Sequence, residues 1–154
     1  MLWRVGLILV LGLCVGCASW PVVGGKARIL KVLPHYVDQD GRHSQGPGLL
    51  DRDIYQQELR GRPEDVKALR FDVKWVGRGL DPKQTKLRIE LRSSKAGVEG
   101  VTLEEKARPR RMFSSWTTVA MAADVYAAFG VMESWRVTLW EGDRLVSEQK
   151  SFLW

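Results

Sequence analysis

Two stretches of strict alternation constrain this chain more than any other feature. Leu69, Phe71, Val73 and Trp75 interleave with Arg70, Asp72 and Lys74, and Leu87, Ile89 and Leu91 interleave with Lys86, Arg88, Glu90 and Arg92. A period of two sends successive side chains to opposite faces of an extended backbone, so each stretch is a strand with one face for a core and one for water. Between them Gly77-Arg78-Gly79-Leu80-Asp81-Pro82 supplies turn chemistry. That predicts an antiparallel pair of neighbours.

The C-terminal third repeats the arrangement. Trp135, Val137 and Leu139 alternate with Arg136 and Thr138, Glu141-Gly142-Asp143 turns the chain, and Leu145 to Trp154 returns. Arg28 to Leu33, Val101 to Lys106 and Trp116 to Met121 complete the set of strands. Six or seven strands with polar outer faces predict a mainly β protein, an antiparallel β-sandwich of immunoglobulin or fibronectin type III character. One or two short helices interrupt it. Leu49, Leu50, Ile54, Tyr55 and Leu59 lie on one stripe, with Asp51 and Asp53 suited to a first turn and Gly61-Arg62-Pro63 ending it. Ala122 to Phe129, before Gly130, is the second. Both are expected to cap an end or edge of the sandwich.

A membrane barrel is the competing β architecture, and the terminal Trp154 invites it. It fails because Arg70, Asp72, Lys74, Arg88 and Arg92 would have to meet lipid or line a lumen built from too few strands. Phe152 and Trp154 are instead expected to close the core.

The first twenty residues carry a different message. Arg4 is the only charge before Lys26, and Val5 to Gly16 is an unbroken run of apolar and small residues. As a helix that run reaches roughly 18 Å, short of the ~30 Å hydrocarbon core, so it suits an export signal better than a retained transmembrane anchor. It leads into Cys14-Val15-Gly16-Cys17-Ala18-Ser19. This resembles the lipobox of bacterial lipoproteins, with Cys14 standing where that family usually has Leu. The resemblance implies that Cys17 is acylated and becomes the new N-terminus. Since neither Ala18 nor Ser19 is the Asp that retains such proteins at the inner membrane, it also implies a lipid-anchored envelope protein, at the outer rather than the inner membrane.

On this reading residues 1 to 16 are the signal peptide, 17 to 26 a lipidated tether containing Pro21 and Gly24-Gly25, and 27 to 154 a single domain. Loss of Arg4 lowers the formal net charge from +6 to +5. The domain is long enough for a core without covalent staples. One of the two cysteines is discarded and the other modified, so neither a disulfide nor a thiolate metal site is expected.

Chemistry concentrates in His35-Tyr36-Val37-Asp38-Gln39-Asp40-Gly41-Arg42-His43. Asp38, Asp40 and Gly41 are reminiscent of the start of a calcium loop, but Arg42 follows and no acid stands at the closing position. The plainer reading is that Asp38 and Asp40 make Asx turns. No serine lies in a Gly-x-Ser-x-Gly turn, and Glu104 and Glu105 point to opposite faces of a strand. We expect no catalytic residue, metal or cofactor.

Six tryptophans follow Cys17. Trp75 and Trp135 share register with buried aliphatics and belong to the core, leaving Trp116 and Trp140 as surface candidates for stacking on a ligand. The basic run Lys106-Ala107-Arg108-Pro109-Arg110-Arg111 is the strongest local charge feature. An exported chain meets phosphate as headgroups, lipopolysaccharide or other envelope polymers rather than as nucleic acid. Two functions are compatible with these residues. The first, which we favour, is a non-catalytic envelope protein whose sandwich docks onto a protein partner. The second is a binding module for an anionic or glycan ligand such as peptidoglycan, lipopolysaccharide or polysaccharide, using Arg108, Arg110, Arg111, Trp116 and Trp140.

Overall fold

The computed structural model describes residues 27 to 110 and 112 to 154. The expected signal peptide, Cys17, the tether and Arg111 lie outside the described residues. In chain order the elements are β1 (Ala27–Asp38), α1 (Leu49–Gly61), a 3-10 turn (Pro63–Asp65), β2 (Val66–Gly77), β3 (Thr85–Ser93), β4 (Val101–Lys106), β5 (Ser115–Ala122), α2 (Ala123–Phe129), β6 (Met132–Glu141) and β7 (Arg144–Lys150).

The strands form two antiparallel sheets, one in the order β1-β2-β5 and the other β4-β3-β6-β7. The architecture is the β-sandwich that the alternation predicts. Lettered A to G in chain order, the sheets read A-B-E and D-C-F-G. A constant-type immunoglobulin domain keeps its fourth strand beside the fifth; here it lies beside the third. One core joins the sheets: Leu69, Phe71, Val73 and Trp75 from β2 face Leu87, Ile89 and Leu91 from β3, with Val137 and Leu139 of β6 beside these on the same inner face, all essentially without solvent contact.

That arrangement corrects one expectation. The two strongest alternating segments, β2 and β3, are not hydrogen-bonded neighbours but belong to opposite sheets. Placed face to face they bury their apolar sides directly against each other. The link between them turns on Leu80, which is buried over Gly77: a Cβ on that glycine would stand 2.6 Å from Leu80 Cδ1 and 3.0 Å from the Trp75 ring. Asp81 then fixes the exit, its N–H donating to Glu141 Oε1 at 2.8 Å.

The C-terminal hairpin of β6 and β7 forms as expected, but the chain does not run extended to its end. Ser151 is held to Trp135 by two hydrogen bonds, one accepted by the Trp135 carbonyl at 2.9 Å and one accepted by Ser151 Oγ at 3.0 Å. A turn follows. Phe152 is therefore fully exposed, and Trp154 folds onto the outer face of the four-stranded sheet with Arg92 4.0 Å and Arg136 5.5 Å from its ring. Neither residue closes the core. Trp75 does lie in it, whereas Trp135 is only partly buried against it.

Both helices form. α2 buries Tyr126 and Phe129 and stops at Gly130, whose φ of +80° suits glycine while its N–H donates to the Tyr126 carbonyl at 2.7 Å. α1 buries only Tyr55 and Leu59. Leu49, Leu50 and Ile54, expected on the same buried stripe, face solvent, Leu49 and Leu50 at 73% and 71% exposure.

Candidate functional site

The register across the three-stranded sheet sets the geography of the molecule. Ala27 pairs with Gly77, and Trp75 with Ser115. The first described residue, the β2–β3 link and the start of β5 therefore share one end of the sandwich. The basic segment leads from β4 to β5 at this same end, with Ala107 N–H donating to the Thr85 carbonyl at 3.0 Å.

Arg108, Arg110 and Trp116 line one open groove of about 580 Å³, together with Glu105, Lys106 and Thr118. It exists because β4 and β5 are edge strands of opposite sheets and the segment joining them must cross the gap. Ser115 holds that segment in place. Its buried hydroxyl accepts from Arg110 N–H at 3.1 Å and donates to the Arg108 carbonyl at 3.0 Å. The Arg108 and Arg110 side chains remain exposed. Trp116, about half exposed, has Lys74 Nζ 5.8 Å from its ring. The arrangement offers exposed cations on a held backbone beside a flat aromatic face, which suits an anionic ligand with an apolar part.

Trp140 does not reach this groove. It lies on the outer face of the four-stranded sheet, donating from Nε1 to Thr138 Oγ1 at 2.8 Å, with the Arg88 guanidinium 5.1 Å from its ring. Arg88 is in turn fixed by Glu104 at 2.6 Å. A neighbouring strand's arginine thus stands against the half-buried Trp140 ring. Met112 and Phe113, by contrast, were missed: they stand 78% and 73% exposed between the arginines and Trp116. Their signal was available as two large apolar residues inside an otherwise polar connection.

The histidine and aspartate segment ends β1 and turns at Asp38 to Arg42. Asp38 Oδ1 accepts from the backbone of Asp40 at 3.0 Å and Arg42 at 2.7 Å, the pattern of an Asx turn. Its Oδ2 accepts from Arg42 Nε at 2.9 Å and from the Tyr55 hydroxyl at 2.5 Å. Burial opposes the charge on Asp38, but these hydrogen bonds outweigh it and hold the carboxyl at about 2. The Arg42 guanidinium also reaches Asp40 at 2.8 Å, so it sits between the two carboxylates where a cation would have to go. Among the described residues no group of three or more His, Cys, Asp or Glu is placed to hold a metal.

His35 lies within β1, buried, with its Nε2 3.6 Å from Asp72 and its ring 4.9 Å from that of His43. Burial and the neighbouring His43 depress it to about 4 against the opposing pull of Asp72. It is neutral at physiological pH.

No family model matches the chain, and comparison with curated proteins and with solved structures finds no match.

Proposed function

We propose that this is a non-catalytic, lipid-anchored envelope protein whose β-sandwich serves as a protein-interaction module. The observation that carries the reading is the divided character of α1. Its C-terminal half is fastened to the sandwich through Tyr55, Gln56 and Leu59. Its N-terminal half raises Leu49, Leu50 and Ile54 into solvent. A rigidly mounted helix with an uncovered apolar stripe is the form that a helix-in-groove contact takes. The anchor itself is supported by the Val15-Gly16-Cys17 sequence after a short apolar run. Arg42, wedged between Asp38 and Asp40, supports a structural rather than a catalytic role for the acidic turn.

A photocrosslinking side chain at Leu50 in intact cells tests the docking face. A discrete adduct formed from position 50, absent from position 99 and lost with Ile54→Lys, is expected. Uniform labelling at both positions, or adduct formation indifferent to Ile54, overturns it. The anchor is tested by the mass of the mature N-terminus and by Cys17→Ala, which should release the chain from the membrane fraction.

The second reading, binding of an anionic or glycan ligand, is favoured by one arrangement, the convergence of Arg108, Arg110 and Trp116 on a single groove. Trp140 belongs to another face and takes no part in it.

A further inference from the structure

We infer that the end of the sandwich bearing the amino-terminal strand rests on an anionic lipid bilayer, with Met112 and Phe113 set into its interface and Arg108 and Arg110 on its phosphates. The inference rests on the lipid-anchored reading above and adds an orientation to it.

Three independent observations converge. The first is where the chain enters. Ala27 and Ser115 lie on strands two places apart in one sheet, which puts them about 10 Å from each other at the same end. Nine residues separate Cys17 from Ala27, and the ten fully extended steps between them span roughly 35 Å at most. An acylated Cys17 therefore keeps this end close to the bilayer, and no other end of the sandwich has an equally short path to it.

The second is charge. Arg78, Lys83, Arg108 and Arg110 are exposed at this end, and none of them forms an ion pair among the described residues. Near the far end Arg42 is paired with Asp38 and Asp40, Arg52 with Asp53, and Arg62 with Glu58 and Asp65, while Arg60, Lys67, Arg92 and Lys95, which form no ion pair among the described residues, share that end with the exposed acids Asp51, Glu64, Glu99, Asp124 and Glu133. Glu105 and Asp143 are exposed at this end without an ion pair among the described residues and offset part of that charge, leaving the cations in excess. Glu141 is paired with Arg144, and Asp81 turns both carboxylate oxygens onto its own turn, at Lys83 N–H and Gln84 Nε2. Unpaired cations gathered at one end match a negative surface, each strengthening attachment by about fivefold when held near it.

The third is the apolar pair. Met112 and Phe113 project from the same short connection as Arg108 and Arg110, and Trp116 follows within one strand residue. Aromatic and aliphatic side chains beside arginines match the layered chemistry of a membrane interface, with apolar groups at the acyl boundary, indole at the headgroups and guanidinium on phosphate. A soluble polyanion would use the cations and Trp116 but give Met112 and Phe113 nothing to bury against.

The test uses the full lipidated chain, carrying an environment-sensitive label on Phe113→Cys or, separately, on Ala96→Cys at the far end. Both residues are exposed, so the fold is not at stake. The chain is floated with vesicles of phosphatidylethanolamine, with or without phosphatidylglycerol, and with brominated acyl chains as quenchers. The expected result is a blue-shifted, bromine-quenched label at 113 only when phosphatidylglycerol is present, and an aqueous label at 96 throughout. Arg108→Gln with Arg110→Gln should reduce the anchored fraction at 113 by tenfold or more, and high salt should do the same. If the chain floats while the label at 113 stays in water, the orientation is overturned and the anchor stands. Failure to float on either vesicle overturns both. A label at 113 that is shielded without any lipid, or by added lipopolysaccharide polysaccharide alone, means that a second copy or a polymer covers the loop, and also overturns the inference.

Discussion

The Gln56 side chain on α1 is hydrogen-bonded to both backbone groups of Tyr36 on β1, accepting from its N–H at 2.6 Å and donating to its carbonyl at 2.8 Å. A primary amide thus does for β1 what a neighbouring strand would do. Because β1 is the edge of its sheet, those groups would otherwise form an open template for another chain. The same Nε2 also reaches the His43 carbonyl at 2.9 Å, tying the preceding loop to the helix that covers the edge. Ser147 of β7 serves the other half of the strand, its Oγ accepting from Ile29 N–H at 3.1 Å. The capping of β1 at these two points leaves α1's outward stripe and the β4–β5 connection exposed.

Gln56→Ala leaves the Tyr36 N–H and two carbonyls without partners. We expect a loss of about 1–3 kcal/mol, read as a lower urea midpoint with an unchanged slope. Gln56→Glu should be intermediate, because a carboxylate still accepts from Tyr36 N–H but cannot donate to its carbonyl. Both variants should also self-associate more readily in sedimentation experiments, since the edge is reopened.

Trp75 is the largest fully buried side chain, and its Nε1 donates to Thr117 Oγ1 at 3.0 Å across neighbouring strands. Thr117→Val keeps the volume and removes the acceptor. The indole N–H then has no partner in the core, and the variant should unfold about 1–3 kcal/mol more easily in denaturant titrations. If its midpoint matched that of the parent protein, the bond would contribute nothing net to stability.

How far the sequence could be read depended on whether a residue's fate was decided locally. The alternation of Leu69 to Trp75 and Leu87 to Leu91 marked inward faces correctly, because a period of two needs no knowledge of the partner strand. Which strands pair was not local: the Arg78 to Gln84 link has the residues of a turn but crosses between sheets, as Leu80 packing over Gly77 shows. The stripe of α1 failed for the same reason. Helical spacing aligns Leu50 with Ile54, but only the sandwich decides that the helix is gripped at Tyr55 and Leu59. The site residues divided likewise. Arg108, Arg110 and Trp116 converge through proximity in the chain, whereas Trp140 met Arg88 through a strand pairing that no local pattern announces.

The divided helix gives a direct contrast. Leu59 is buried at the base of α1, and Leu59→Ala should cost about 2–5 kcal/mol through lost burial and the cavity left behind. Leu50→Ser and Ile54→Ser touch only solvent-facing positions and should shift stability by no more than about 0.5 kcal/mol. Thermal or urea unfolding of the three variants separates the two halves. A large loss from Leu50→Ser would mean that this residue packs in the folded chain and is not free for a partner.

Acid should weaken the fold in two stages with different owners. His35, held to about 4 against an ordinary 6.5, binds its proton more readily in the unfolded chain. Stability therefore rises with pH between about 4 and 6.5 and is lost as pH falls through that window, by up to about 3 kcal/mol. Asp38, held to about 2 against an ordinary 3.8, contributes stability present above 3.8 and lost as pH falls toward 2. Unfolding free energies measured from pH 7 to pH 2 should show both slopes. His35→Gln should flatten the upper one alone, because glutamine carries no proton to gain, and Asp38→Asn should flatten the lower one alone while lowering stability at neutral pH through the weakened bond to Arg42. A parent protein whose stability did not change between pH 6.5 and 4 would mean that His35 is protonated in place, stabilised by Asp72 more strongly than its burial allows.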